Sequence, residues 1–292
     1  MKRFKKAVIV GGVLLALTSV YGCGANNDKN DSANTENKVE TSTDKEKEES
    51  QKDEKDEEEK EEKKLDPEIT VSAAASLRES FTEIAENFEK EYGTKVNLNF
   101  GSSGALQKQI EEGAPSDYFV SAGQKQMKAL EEASLVDSDS VKDFLGNKLV
   151  LAVPKDSDEI KTVEDLEGTD GKIAIAEIDS VPVGQYTKEA LDNLNIWDKI
   201  EDKIVFAKDV KATTAYIEQG EAVAGFIYKS DAIAAPGVDI AEEIDESTHK
   251  PITYPEGIVT ASEKKETVKE FSEFLKTDES KAILEKYGFE VK

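Results

Sequence analysis

Short apolar runs alternate with stretches whose apolar residues recur every three or four positions, and this alternation fills the chain from residue 67 to its end. The runs 69–72, 96–100, 118–121, 149–153, 173–175, 204–207 and 223–228 are β-rich and predict strands; in the second, Val96, Leu98 and Phe100 fall on one face. Helical spacing predicts helices over 77–90, 105–112, 124–133, 185–195 and 211–219, with one or two more in 264–287. In the first of these, Leu77, Phe81, Ile84 and Phe88 mark the buried stripe. Ser76 precedes that stripe as an N-cap, and Glu79 completes a capping-box pattern. Strands alternating with helices imply an α/β fold built on mainly parallel sheets, whose ligands bind where strands end and helices begin.

Four loops occupy that position. The first ends at Ser76. The second, Gly101-Ser102-Ser103-Gly104, sets two hydroxyls between glycines that let backbone approach a ligand. The third, Ser180-Val181-Pro182-Val183-Gly184, opens a helix with proline and leaves its N–H groups unshielded. The fourth runs from Lys208 through Asp209 and Val210 to Thr213, again before a helix. Tyr228 ends an apolar strand and brings a phenol to the same edge. One such loop means little, since most capping serines only cap. Five positions of one kind in one α/β chain point to an oxyanion site made of N–H and O–H donors.

The N-terminal part is different. Lys2, Arg3, Lys5 and Lys6 precede an apolar run over 7–20 that is short for a membrane span, so residues 1–22 read as an export signal. The run ends at Val20-Tyr21-Gly22-Cys23, which resembles the bacterial lipobox. Cys23 is then the expected lipidation site and first mature residue. Residues 23–66 read as a lipidated cysteine followed by a disordered acidic tether, because they carry too few apolar side chains to offset chain entropy. Cys23 is the single cysteine, so no internal disulfide forms.

The formal charge is −25, and the acidic excess persists in 67–292, which excludes nucleic acid as a partner. It does not exclude an anion. Helix N-termini carry about half a positive charge each, and salt screens the distant carboxylates within about 8 Å. With one histidine, His249 in a polar loop, and no free cysteine in the folded part, triad and histidine-based metal chemistry are not expected. The Gly101–Gly104 turn also lacks the spacing of a nucleophile elbow.

Longer segments carry a resemblance. Ala73-Ala74-Ala75-Ser76-Leu77, Gly113-Ala114-Pro115-Ser116-Asp117, Leu145-Gly146-Asn147-Lys148-Leu149-Val150, Val181-Pro182-Val183-Gly184, Ala190-Leu191, Asp209-Val210, Ile227-Tyr228-Lys229-Ser230-Asp231-Ala232 and the ending Lys286-Tyr287-Gly288-Phe289 occur in order. Together they resemble the molybdate-binding proteins of bacterial ABC importers across essentially all of 67–292. The resemblance implies a two-lobed type II solute-binding fold, with 67–149 plus 250–292 as one lobe and 150–249 as the other, joined by a two-crossover hinge. It implies capture of molybdate, and of tungstate of nearly the same size, by a monomer that hands its cargo to an ABC permease. Ser76 and Ser103 would bind through hydroxyl and backbone N–H, Val183 and Val210 through backbone N–H, and Tyr228 through its hydroxyl. All five would touch the oxyanion's oxygens and not the metal. The family implies no cofactor and no catalysis, and a lipid on Cys23 would hold the protein outside the cell membrane of a Gram-positive-type bacterium. Gly104 departs from the hydroxyl common at that position, and Val183 from alanine. The rival readings are the same fold specific for tungstate, sulfate or an anion held with a carboxylate (Asp209 or Glu177), a serine hydrolase, and a scaffold lipoprotein.

Overall fold

The computed structural model describes residues 64–292. The expected signal, Cys23 and nearly all of the expected tether lie outside the described residues. At the tether's end the structure corrects its boundary. Leu65 packs against the core, and Asp66 accepts from Thr267 Oγ1 at 2.7 Å while Thr94 donates to its carbonyl at 2.8 Å. One apolar side chain, a carboxylate paired with Thr267 and a backbone carbonyl paired with Thr94 dock these residues.

Eleven strands form two sheets among the described residues. In chain order the strands are β1 (Glu68–Ala74), β2 (Lys95–Gly101), β3 (Tyr118–Val120), β4 (Lys142–Gly146), β5 (Leu149–Pro154), β6 (Ile173–Ala176), β7 (Ile204–Ala207), β8 (Ala224–Tyr228), β9 (Val238–Glu243), β10 (Thr253–Ile258) and β11 (Glu290–Val291). The helices are α1 (Arg78–Tyr92), α2 (Ser103–Glu111), α3 (Gln124–Glu132), α4 (Pro182–Asn193), α5 (Trp197–Ile200), α6 (Val210–Glu218), α7 (Lys229–Ala234), α8 (Lys265–Phe274) and α9 (Asp278–Lys286). The first sheet has the order β11-β4-β10-β3-β1-β2 and the second β7-β6-β8-β5-β9. The fold is therefore α/β, with two sheets flanked by helices.

Both sheets are mixed, where the alternation of elements predicts mainly parallel ones. β1 pairs in parallel with β2 and β3, and β6 with β7 and β8. β10 runs antiparallel to β3 and β4, and β5 antiparallel to β8 and β9. The cause is the route of the chain. It leaves the first sheet at Gly146 and enters the second at Leu149, so β5 starts beside Tyr228, the end of β8, and runs the opposite way. It returns between Glu243 and Thr253, and β10 likewise starts at the end where β4 finishes. Among the described residues two crossovers join the sheets.

Helix α1 buries Phe81, Ile84 and Phe88, the stripe its spacing predicts. Phe88 meets Phe271 and Phe274 of α8 edge-on, with ring centroids 5.1 and 5.3 Å apart. This packing clamps the first helix over the sheet, and with it the junction that α1 follows. Six parallel strands, β1, β2, β3, β6, β7 and β8, end at the same place between the two sheets. That convergence positions the site.

Candidate functional site

Ser76, Ser103, Val183, Val210 and Tyr228 line one pocket together with Ser102 and residues that are all alanine, glycine, proline or valine. The five come from junctions after β1, β2, β6 and β7 and from the end of β8, and each is at most 4 % exposed. The cavity volume among these side chains is about 10 Å³, about one water's worth, far below the roughly 300–1,000 Å³ of pockets for organic ligands, so only a small ion could be its guest. None of the lining residues carries a charge.

The local sequence explains each placement. Ser102, extended in backbone, caps α2 by accepting from Ala105 N at 3.2 Å, which leaves Ser103 as the first helical residue with its own N–H free of any carbonyl one turn back. Ser103 Oγ accepts the Ala122 N–H at 2.9 Å, from the loop after β3. With that lone pair engaged, the Ser103 proton remains for another acceptor. On α4, Pro182 is the first helical residue and has no N–H to give, and Val181 provides no side-chain cap, so the Val183 amide faces the pocket uncapped. Gly184 lets the helix sit this close to the sheet: a β-carbon there would lie 2.2 Å from the Ala176 carbonyl oxygen. On α6, Asp209 caps by accepting from Ala212 N at 2.8 Å and leaves Val210 N–H unshared. Tyr228 donates to the Ala122 carbonyl across 3.4 Å, a long bond that a charged acceptor could displace. Burial pushes its phenol well above the ordinary tyrosine range, so it keeps its proton and stays a donor.

Ser76 is in the pocket but does not cap α1. Residues Ala75–Leu77 form a 3₁₀ turn, the helix starts two residues later, and no side chain caps it. The tighter turn aims Ser76 Oγ sideways to Tyr254 Oη, 2.9 Å away, instead of back toward the helix. Glu79, freed from the expected capping box, takes the Lys211 ammonium at 2.6 Å. Lys211 also lies 3.1 Å from the buried carboxylate of Asp231. Burial works against its charge, but Asp231 and Glu79 outweigh it and hold the ammonium above its usual range. The ammonium is thus neutralised in place.

The two sheets meet at this pocket. Gly104 N–H donates to the Ser180 carbonyl at 2.9 Å, joining the loop after β2 to the loop after β6. A β-carbon on Gly104 would stand 2.4 Å from that oxygen, which accounts for glycine where the resemblance leads one to expect a hydroxyl.

The carboxylates considered as alternative ligands lie elsewhere. Asp209 is occupied as a cap and Glu177 is exposed, and neither lines the pocket. His249 is not a solvated loop residue, as its polar surroundings suggest. It is buried, with Nδ1 2.8 Å from the Lys250 carbonyl and its ring edge-on to Tyr186. It sits on the return crossover and does not line the pocket. Among the described residues no group of histidine, cysteine and carboxylate side chains could hold a metal ion.

Sequence reasoning missed Ala122, Tyr254 and Asn147. Ala122 acts only through its backbone and leaves no signal. Asn147 stood inside one of the resembling segments without a role. Tyr254 precedes Pro255, and a proline argues against a central strand. A register shift between these two residues admits it.

The chain from 69 to 290 matches the family model described as bacterial extracellular solute-binding protein. It is 39 % identical over 233 residues to the molybdate-binding protein ModA of Escherichia coli (strain K12), covering 77 % of this chain and 90 % of that protein. Over 288 residues and 98 % of both chains it is 38 % identical to YvgL of Bacillus subtilis (strain 168), which carries the provisional name ABC transporter substrate-binding lipoprotein. Its fold superposes on the periplasmic molybdate-binding protein of Azotobacter vinelandii with a TM-score of 0.71 at 25 % identity, over 77 % of this chain and 99 % of the other.

Proposed function

The chain belongs to the bacterial extracellular solute-binding protein family, and on that premise we propose that its solute is molybdate, with tungstate as an equivalent guest. One observation carries the reading: five buried donors from separate junctions converge on a single uncharged pocket of small volume. Hydrogen bonds to a charged acceptor contribute about 1.5–3 kcal/mol each, so a handful of them support sub-micromolar binding after association costs. The lining supplies protons and no side-chain acceptor other than hydroxyl oxygens. Hydrogen phosphate, which keeps a proton, would bury it without a partner at a cost of roughly 1–3 kcal/mol. Sulfate carries no such proton, and only its smaller size disfavours it.

A guest enters by opening. The pocket residues are buried, so the halves built on the two sheets, 67–149 plus 250–292 and 150–249, act as lobes that part about the crossovers at 147–148 and 244–252. Closure then desolvates the anion and forms the Gly104–Ser180 bond. The closed protein delivers molybdate to an ABC permease while a lipid on Cys23, after removal of residues 1–22, anchors it outside the cell membrane. No reaction is assigned to Ser102 or Ser103: the first caps a helix, the second takes a backbone N–H, and His249 does not line the pocket. A thermal-shift series with molybdate, tungstate, sulfate, phosphate and chromate tests the reading. Large stabilisation by the first two and little by phosphate is expected; equal response to all five, or to none, contradicts it. Replacing Cys23 with serine should move the protein from the membrane fraction to the medium.

A further inference from the structure

Behind Ser76 lies a chain of buried polar groups that touches no pocket space of its own. Lys148 N–H donates to Asn147 Oδ1 at 2.8 Å. A backbone N–H can only donate, so this contact fixes which end of the amide is oxygen. Asn147 Nδ2 then points the other way and donates to Ser230 Oγ at 2.8 Å and to Tyr254 Oη at 3.2 Å. Tyr254 is fully buried beside the Tyr228 ring, and its hydroxyl lies 2.9 Å from Ser76 Oγ. With its oxygen already accepting from Asn147, the phenol has its proton to give to Ser76. Either hydroxyl can donate across this contact; in the arrangement where Tyr254 donates, Ser76 Oγ accepts and its own proton is left for the pocket.

We propose that Asn147 and Tyr254 are positioning residues that fix the Ser76 hydroxyl as a donor, and so help set the preference for oxyanions without a proton. The proposal rests on the oxyanion-binding reading and adds to it the origin of the discrimination. Ser103 is held in the same sense by the Ala122 N–H. A hydroxyl is ambivalent, donating or accepting as it rotates, and an unconstrained serine could turn a lone pair toward a protonated anion. Two fixed donors behind the two serines remove that freedom. Burial holds the Tyr254 phenol well above its ordinary range, so it does not lose the proton on which the chain depends. The relay also starts at one crossover and ends beside the other. Asn147 follows β4, Ser230 lies in the first turn of α7, which follows β8 of the second sheet, and Tyr254 is the second residue of β10 in the first. The donor orientation is therefore set by the residues that join the two halves.

The test is titration calorimetry with molybdate and inorganic phosphate on wild type, Tyr254→Phe, Asn147→Asp and Ser76→Ala, at neutral pH where phosphate retains a proton. Tyr254→Phe should weaken molybdate about five- to tenfold, one oriented bond's worth, and shrink the molybdate-to-phosphate affinity ratio by at least that factor. Asn147→Asp reverses the chain. A carboxylate accepts from Lys148 N–H, Ser230 and Tyr254 alike, so Tyr254 turns its proton away from Ser76 and Ser76 presents a lone pair. That variant keeps every partner satisfied and should show the larger collapse of the ratio. Its added charge repels both anions, so the ratio, not either affinity, is the readout. Ser76→Ala should weaken molybdate without improving phosphate. If both relay variants retain the wild-type ratio, or still take no phosphate, the relay is overturned while the function stands. If wild type binds no molybdate, the functional reading falls and the relay's role with it.

Discussion

Replacing Ser103 with alanine separates the ligand's demand from the fold's. In the structure Ser103 Oγ accepts the Ala122 N–H at 2.9 Å and keeps its proton for the pocket. The substitution removes one donor to a dianion, worth about 1.5–3 kcal/mol, so molybdate should bind roughly 10- to 150-fold more weakly by titration calorimetry. It also strips a buried N–H of its acceptor. The sequence alone suggests an unchanged apo melting temperature, because a pocket serine has no visible structural duty. The Ala122 contact changes that expectation. An unsatisfied N–H costs about 1–3 kcal/mol, which lowers Tm by roughly 2–10 °C in a domain of this size, less if water fills the gap. Glycerol-free scanning calorimetry of the apo form measures this part independently. An unchanged molybdate affinity would refute the placement of Ser103 at the ligand, whatever the melt shows.

Other substitutions extend the test. Tyr228→Phe gives up the long 3.4 Å contact to the Ala122 carbonyl, so it should lower molybdate affinity at least tenfold in calorimetry while moving Tm by no more than a few degrees. Gly104→Ala places a β-carbon 2.4 Å from the Ser180 carbonyl and should hold the halves apart; small-angle scattering should then show no molybdate-induced contraction, and affinity should drop by more than tenfold. Asp231 is fully buried, and desolvation lifts its carboxyl to about 6 although Lys211 pulls the other way. A carboxyl raised on folding binds its proton more tightly in the native state, so its contribution to stability falls as pH rises from about 4 to 6. Removing it in Asp231→Asn, with Lys211 still paired to Glu79, should make the wild-type stability measured by urea unfolding improve relative to the variant on acidification from pH 7 to 5. A constant difference would contradict that assignment.

The sequence is most legible where periodicity and loop chemistry agree. The seven predicted strands appear near their expected places, because each carries apolar residues in a run, as over Leu149–Pro154, or in alternation, as at Val96, Leu98 and Phe100. The strands that escape notice break that pattern. β4 starts Lys142-Asp143, β9 ends in two glutamates, and β10 contains both Pro255 and Gly257. Those three, and the two-residue β11, are antiparallel elements, so the mixed character of the sheets was hidden with them. The pocket residues could be found because each sits at a strand end beside small residues. Their supports could not: Ala122 acts through its peptide group, and Tyr254 through a contact 178 positions away in the chain. The capping box at Ser76 illustrates the opposite error, a local pattern satisfied on paper while a 3₁₀ turn and a distant phenol claim the side chain.

A crystal structure of the protein with molybdate, the metal located by its anomalous scattering, tests the account most directly. The four oxygens should lie within hydrogen-bond distance of the Ser76 and Ser103 hydroxyls, the Val183 and Val210 amides and the Tyr228 phenol, with no cation or carboxylate in contact. A molybdate held instead by lysine, arginine or aspartate, or lodged outside this pocket, contradicts it.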